Sequence, residues 1–283
     1  QPMKILITGA TGMLGTEITS LAHHRHHEVT ALPRSEFDLS DPVCSGRIVA
    51  GEFGDLDIVI NCAAYTAVDK AEEEPDLAYA ANGLGVGYLA RACAMSGVKL
   101  LHFSTDYVFD GDATTPYTED DPVCPIGVYG NSKLQGEEAV HDSGAQAWIL
   151  RTSWVIGPHG KNFLRTMANR RDDDLGIVND QTGTPTYAPF LAEKALDLIE
   201  RNPPPDLFHA AGPEVMTWFE LARQIQERMP NAQGLRRPIT TAEYPTAARR
   251  PVYSALDSGK LSACLGPMPP LSRALDHYFA RSG

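Results

Sequence analysis

Apolar positions along the chain gather into short unbroken runs, separated by longer segments with helical spacing. KILIT (Lys4 to Thr8), EVTAL (Glu28 to Leu32), DIVIN (Asp57 to Asn61), KLLHFS (Lys99 to Ser104) and WILRT (Trp148 to Thr152) are runs of this kind. Continuous runs of this length, bounded by turn residues, predict strands covered on both faces. TEITSLAHH (Thr16 to His24) and DLAYAANGLGVGYLARACAMSG (Asp76 to Gly97) lie between them with helix-like spacing, and the second ends on a glycine stop. Strand and helix alternate, which predicts βαβ units and an α/β fold built on a Rossmann-type, doubly wound parallel sheet. Beyond about Val155 the alternation weakens and prolines increase, as in NPPPDL, RRPVY and GPMPP. We therefore expect a first domain over residues 3–155 and, over 156–283, mainly a smaller C-terminal lobe. A helix between about Tyr187 and Glu200 is expected to return to the first domain.

Composition narrows the function classes. The chain has 283 residues, 43% hydrophobic and 21% charged, which suits a globular protein with a large core. No apolar run reaches the length of a membrane span. The net charge of −12 and pI near 5.1 argue against a nucleic-acid binder, which would be basic. Gln1-Pro2 precede Met3, which reads as the native start, and no signal-peptide pattern follows. Five cysteines, odd in number and never spaced C-x-x-C, point to reduced, mostly buried thiols in a cytoplasm. The run HHRHH (His23 to His27) falls where a helix gives way to a strand. Its adjacent histidines do not share a helix face, so it reads as a solvated helix end and not as a metal site.

ITGATGMLG places Gly9, Gly12 and Gly15 in the pattern G-x-x-G-x-x-G, directly after the first strand and opening a helix. Glycines there allow a tight turn, close approach of backbone to a pyrophosphate, and close helix–strand packing. The helix-opening N–H groups then face the anion. Gly9, Thr11, Gly12, Met13, Leu14 and Gly15 are thus read as a dinucleotide cradle, which makes the first domain the cofactor-binding one. After EVTAL the chain offers Pro33, Arg34 and Ser35 in place of the carboxylate that takes an NAD ribose hydroxyl. Arg34 could pair with a 2′-phosphate, so NADPH is preferred, with NADH as the other cofactor. Asp38 and Leu39 follow in position to flank the adenine.

STDYVFDG (Ser104 to Gly111) lies at the carboxyl end of the KLLHF strand, where ligands of open α/β sheets bind. VYGNSKLQGEEAV follows, with Tyr129 four residues before Lys133 on one face of a helix. Ketone reduction needs hydride at carbon and a proton for oxygen. A phenol has a pKa near ~10, and an adjacent ammonium favours its phenolate. A strand-end hydroxyl followed by Tyr-x-x-x-Lys, in a chain with a glycine-turn cradle, resembles the short-chain dehydrogenase/reductase superfamily. Thr105 would then share the carbonyl oxygen with Tyr129, and Lys133 would hold the nicotinamide ribose.

Longer stretches resemble one family more closely. NCAAYTAVDKAE, STDYVFDG, VYGNSKLQGE, RTSWVIGPHGKNF, VNDQTGTPTYA and RRPVYSALDSGKL occur in the order of the dTDP-4-dehydrorhamnose reductase family and span nearly the whole chain. The resemblance implies NADPH-dependent reduction of the 4-keto group of dTDP-6-deoxy-L-lyxo-4-hexulose to dTDP-L-rhamnose, a cell-wall polysaccharide precursor. It implies Thr105, Tyr129 and Lys133 as the catalytic trio, with Tyr129 the proton donor. Thr66, Val68, Asp106, Tyr107, Trp154 and Asn162 would face the nucleotide-sugar substrate. Cys62, Ala63, Ala64 and Tyr65 would run along the cofactor. Gln181 and Arg250 are further candidate contacts for the diphosphate or sugar, while Asp69 and Asp106 are also suited to holding loops. Trp218, in MTWFELA, reads as a helix-start packing residue.

The chain departs from the family in two places. PMPPLSRAL carries Leu271 where family members often have tryptophan, and only a packing change is expected. Family members bind Mg²⁺ at a dimer interface through glutamates; Glu17 matches one of these, but no full set is found. No metal is therefore assigned, and Glu17 is read as a first-turn carboxylate favoured by the helix dipole. The chain is expected as a monomer or homodimer, with no nucleic-acid or membrane partner. Two other readings stay open: a nucleotide-sugar epimerase or reductase of the same superfamily, and a non-catalytic subunit resembling the regulatory subunit of methionine adenosyltransferase.

Overall fold

The structure is a computed structural model and describes residues 1–281. The first half alternates strands and helices: β1 (Lys4–Thr8), α1 (Met13–His24), β2 (Glu28–Leu32), α2 (Pro42–Val49), β3 (Ile58–Asn61), α3 (Val68–Glu73), α4 (Pro75–Tyr79), α5 (Val86–Ser96), β4 (Lys99–Thr105), α6 (Val128–Asp142) and β5 (Ala147–Thr152). Shorter elements follow: β6 (Val155–Ile156), α7 (Phe163–Asn169), β7 (Leu175–Val178), β8 (Thr182–Gly183), β9 (Thr186–Tyr187), α8 (Ala188–Arg201), β10 (Leu207–His209), β11 (Met216–Thr217), α9 (Trp218–Glu227), β12 (Arg236–Ile239), α10 (Gly259–Leu265) and α11 (Leu271–Arg281).

The central sheet has six parallel strands in the order β2-β1-β3-β4-β5-β10. Order reverses between β1 and β3, so a ligand crevice opens at their carboxyl ends. Along β1 the side chains alternate between two apolar layers, with Ile5 and Ile7 on one face and Leu6 on the other. The first layer packs against α1 and α8 through Ile18 and Leu191; the second packs against α5 and α6 through Leu89 and Val140. This is why the strand sequences read as unbroken apolar runs. Gly97 ends α5 in the left-handed region, at φ +67°.

The C-terminal half gives more to this sheet than the sequence suggested. Helix α8 lies against α1, and β10 adds an edge strand beside β5. A three-residue strand carries too little pattern to be read from sequence. The remaining strands form three two-stranded sheets, β8 with β11, β7 with β12, and β6 with β9.

In the HHRHH run His23, His24 and His26 are exposed, as a solvated helix end requires, but His27 and Arg25 are engaged. His26 takes φ +63° to turn the chain out of α1. His27 is buried, accepts the Met3 N–H at 3.1 Å and meets Glu200 at 2.9 Å. Arg25 pairs with Asp197 at 2.8 Å and Glu200 at 2.9 Å, so the run clamps α1 to α8. Among the cysteines only Cys93 is fully buried and Cys124 is exposed, less enclosure than expected. Leu271 sits in the core, so the departure there is one of packing.

Candidate active site

The glycine turn meets the three expected requirements at separate positions. Gly9 sits at φ +63°, and a Cβ there would come within 2.5 Å of the Ala63 backbone nitrogen. A Cβ at Gly15 would lie 2.2 Å from the Gly9 carbonyl oxygen, so α1 packs on β1 only with glycine there. At Gly12 a Cβ would meet only the Gly9 oxygen at 3.4 Å, so that backbone faces open space. Gly12 caps α1 without any side-chain hydrogen bond. The first-turn N–H groups, which have no intrahelical partner, remain available to an anion. These features fit a pyrophosphate. Met13 forms the far wall, with its side chain near Gly157 and Gly160.

Arg34 stands exposed beyond β2, its Nε 3.7 Å from an Asp38 carboxylate oxygen. The Asp38 carboxyl is held below its usual range, first by the Ser40 hydroxyl. Leu39 is buried in the second apolar layer, so its side chain supports the crevice wall from behind. Cys62, Ala63, Ala64 and Tyr65 follow β3 along the crevice. Burial pushes the Cys62 thiol up to about 12. Beneath them, Asn61 accepts the Thr8 hydroxyl at 2.7 Å and the Ala63 N–H at 3.1 Å.

Thr105 ends β4, and Tyr129 and Lys133 sit in α6 beside it. The Tyr129 hydroxyl lies close to that of Thr105. Its ring meets the edge of Tyr107 at 5.4 Å between centroids. Gly130 makes this approach feasible, because a Cβ there would fall 2.2 Å from the Tyr107 oxygen. The electrostatics differ from the expected ammonium-assisted phenol. Burial, then the Asp106 charge, pushes Tyr129 up to about 12. Lys133 donates to the Phe103 carbonyl at 2.6 Å, and burial brings it down to about 8 despite Glu137. Tyr129 therefore stays protonated at neutral pH, the state a proton donor needs before hydride arrives.

Behind the trio lies a buried charge network. Glu137, four residues after Lys133, forms a bidentate ion pair with Arg151 of β5, closest at 2.7 Å. Ser104 donates to the same carboxylate. Sequence reading missed this pair because Arg151 sits inside the apolar-looking WILRT run.

A second missed residue is Asn82, in a π-helical turn spanning Ala80–Gly85. It is fully buried, exchanges hydrogen bonds with the Tyr65 backbone at 2.8 and 2.9 Å, and donates to Ser132 at 3.1 Å. It thereby fixes the loop after β3 to α6. A π turn inside a helical sequence leaves no periodic mark, though such turns gather at functional sites.

The expected substrate residues fall into two groups. Thr66 is exposed on the loop before α3 and Val68 opens that helix, while Asp106 is buried and Tyr107 packs on Tyr129. Trp154 adopts the left-handed region at φ +44° and stacks on Trp218 at 3.6 Å. Trp218 thus opens α9, as read, and also backs Trp154. Asn162 serves the loop instead. Its amide bonds Gly157, His159, Gly160 and the Arg165 N–H, so it holds the loop and caps α7. Asp69 binds Arg250 at 2.9 Å and the Ala248 N–H at 3.0 Å, tying the start of α3 to the Ala248–Arg250 loop. Glu17 lies in the second turn of α1, not the first, with one carboxylate oxygen 3.3 Å from His159.

Beside Trp218 opens a cleft of about 650 Å³. Phe163, Tyr244, Gln181 and the three arginines Arg170, Arg237 and Arg250 line it, with Asp174 and Glu243 also present. Aromatic faces next to guanidinium groups suit a base and a diphosphate.

The chain matches the family described as RmlD substrate binding domain over residues 3–282. It belongs to that family. Within it, the chain is 42% identical to dTDP-4-dehydrorhamnose reductase of Mycobacterium tuberculosis, across 90% of this chain and 85% of that protein. It is 40% identical to the spore coat polysaccharide biosynthesis protein SpsK of Bacillus subtilis, across 89% and 88%. The dTDP-4-dehydrorhamnose reductase of Bacillus anthracis, solved in complex with NADP, superposes with a TM-score of 0.93 at 32% identity, covering 99% of this chain and all of that one. A Thermus thermophilus UDP-glucose 4-epimerase, 22% identical with a TM-score of 0.81, shares the fold.

Proposed function

We propose that this chain is a dTDP-4-dehydrorhamnose reductase: it uses NADPH to reduce the 4-keto group of dTDP-6-deoxy-L-lyxo-4-hexulose to dTDP-L-rhamnose. One observation carries the reading. A strand-end threonine, a half-buried, protonated tyrosine and a buried lysine meet beside a glycine cradle whose helix-opening N–H groups are free. Family membership and the named relatives support the same reading.

The cofactor supplies hydride to the carbonyl carbon. Tyr129 gives its proton to the carbonyl oxygen as negative charge develops there, and Thr105 donates a second hydrogen bond to that oxygen. Lys133 would hold the nicotinamide ribose and supply a cation there. Thr66, Val68, Tyr107 and Trp154 bound the sugar. The cleft of Phe163, Tyr244, Gln181 and the three arginines takes the nucleoside diphosphate, which makes the C-terminal lobe the substrate-binding side. Asn162 and Asp69 serve it as loop holders. No described helix is long and apolar enough to cross a membrane. The enzyme works in the cytoplasm as a monomer or homodimer.

The test is loss of reduced-nicotinamide absorbance with substrate made in place by the preceding enzymes, and identification of dTDP-L-rhamnose as product. Product formed with no net oxidation would point to an epimerase. No turnover by folded protein that binds NADPH would point to a binding subunit.

Arg34→Ala should raise the NADPH Michaelis constant about tenfold or more, the loss of one charge-assisted bond to phosphate, and leave the NADH constant nearly unchanged. Steady-state kinetics with both cofactors checks this. Equal effects on the two would mean that Arg34 does not read the 2′-phosphate.

A further inference from the structure

Asp106 follows Thr105 directly and is 2% exposed. One of its oxygens lies 3.1 Å from the Thr105 hydroxyl. The Ser254 hydroxyl lies against the carboxyl, yet Oδ2 has no well-formed hydrogen bond. A buried carboxylate with an unmatched oxygen is costly beside a reacting centre. Burial pushes this group up to about 6, against the hydrogen bonds of Ser254 and Thr105.

A count of hydrogen bonds at Thr105 gives the reason for such an arrangement. A threonine hydroxyl donates once and accepts twice. The Tyr107 N–H, at 3.1 Å, occupies one acceptor position in every state. When Asp106 is charged, the stronger, charge-assisted bond takes the Thr105 proton, and the second acceptor position is left to the Tyr129 hydroxyl. Thr105 then has nothing to offer a substrate. When Asp106 is neutral, its O–H can fill that second acceptor position. The Thr105 proton and the Tyr129 proton are then both free, and a carbonyl oxygen can accept both.

We propose that Asp106 is a positioning residue: its neutral carboxyl donates to Thr105 Oγ1 and so turns the Thr105 hydroxyl, together with that of Tyr129, onto the substrate carbonyl oxygen. The proton on Asp106 comes from solvent and is not consumed. The inference rests on the reductase reading and adds a requirement to it. The other titratable and charged groups facing this centre are Tyr107 and Tyr129, with Arg250 and Asp69 beyond Tyr107. The protein proton donor Tyr129 stays protonated throughout the range concerned.

The sign follows directly. The competent state is the protonated one, so hydride transfer is fastest below the Asp106 ionisation and falls as pH rises through it. The experiment measures single-turnover NADPH oxidation across the range bracketing about 6, with NADPH deuterated at the transferred position to isolate the hydride step. Wild type should lose rate on the alkaline side, by up to about tenfold per pH unit. In Asp106→Asn the amide N–H donates to Thr105 at every pH. That variant should bind NADPH normally and hold a rate near the wild-type acid plateau across the range. A flat wild-type profile overturns the inference and leaves the reductase reading standing, and needs no variant. So does an Asp106→Asn enzyme that keeps the alkaline limb, or one that binds NADPH and never turns over. Absence of wild-type turnover at every pH removes the reductase reading and this inference with it.

Discussion

Tyr129→Phe should lower turnover by about 10²–10⁴-fold, the contribution of a placed general acid. The substitution keeps the ring that packs edge-on against Tyr107 and removes only the hydroxyl. NADPH affinity, followed by fluorescence titration, should change little. The residual rate should reflect hydride transfer aided by Thr105 and the bound geometry alone. Because burial pushes Tyr129 up to about 12, its own ionisation should not limit the wild-type rate near neutrality. Undiminished turnover in single-turnover kinetics would remove Tyr129 as the proton donor. A matching loss of NADPH affinity would mean that the ring holds cofactor instead.

The parts legible in sequence were those with dense local signals. β1, β3, β4 and β5 lie between two apolar layers, so their sequences are mostly apolar runs. Gly9, Gly12 and Gly15 stand out because each relieves a backbone constraint at short range. Tyr129 and Lys133 are one helical turn apart, so their joint face is written in the spacing. The parts that stayed hidden depend on contacts far apart in sequence. Arg151 finds Glu137 on another element, and Asn82 finds Tyr65 and Ser132 across a π turn. β10 joins the sheet after α8 with three residues. Asn162 resembled a substrate contact by motif, but its amide is spent on the loop it closes and the helix it caps. Lys133 had been expected to act on Tyr129 directly, yet it is tethered to the Phe103 carbonyl. A pairing inferred from spacing names the residues that share a face and leaves the partner of each atom open.

Glu137→Ala should destabilise the fold by about 3–5 kcal/mol, because it strands a buried guanidinium. The two side chains are each 5% exposed, and Arg151 reaches Glu137 through Nε and Nη2. Little else can take over. The Phe109 ring lies 5.2 Å from the Arg151 guanidinium carbon, and His209, 3.3 Å away, is itself pushed down to about 4 by burial and by Arg151. Ser104 would lose its acceptor in the same step. Urea unfolding measures the change, with an unaltered slope as the check that compactness is unaffected. Replacing both partners by methionine should recover most of the loss, since a well-packed apolar pair does not incur the desolvation that the ion pair must offset. The double variant separates two roles. Recovered stability with impaired turnover would mean that the pair chiefly anchors α6 beneath Lys133 for catalysis. Recovered stability with full turnover would mean that any tight contact between α6 and β5 is enough to place the lysine. A Glu137→Ala loss below about 1 kcal/mol, the range of exposed pairs, would show that water reaches the site and that the pair is not a buried anchor.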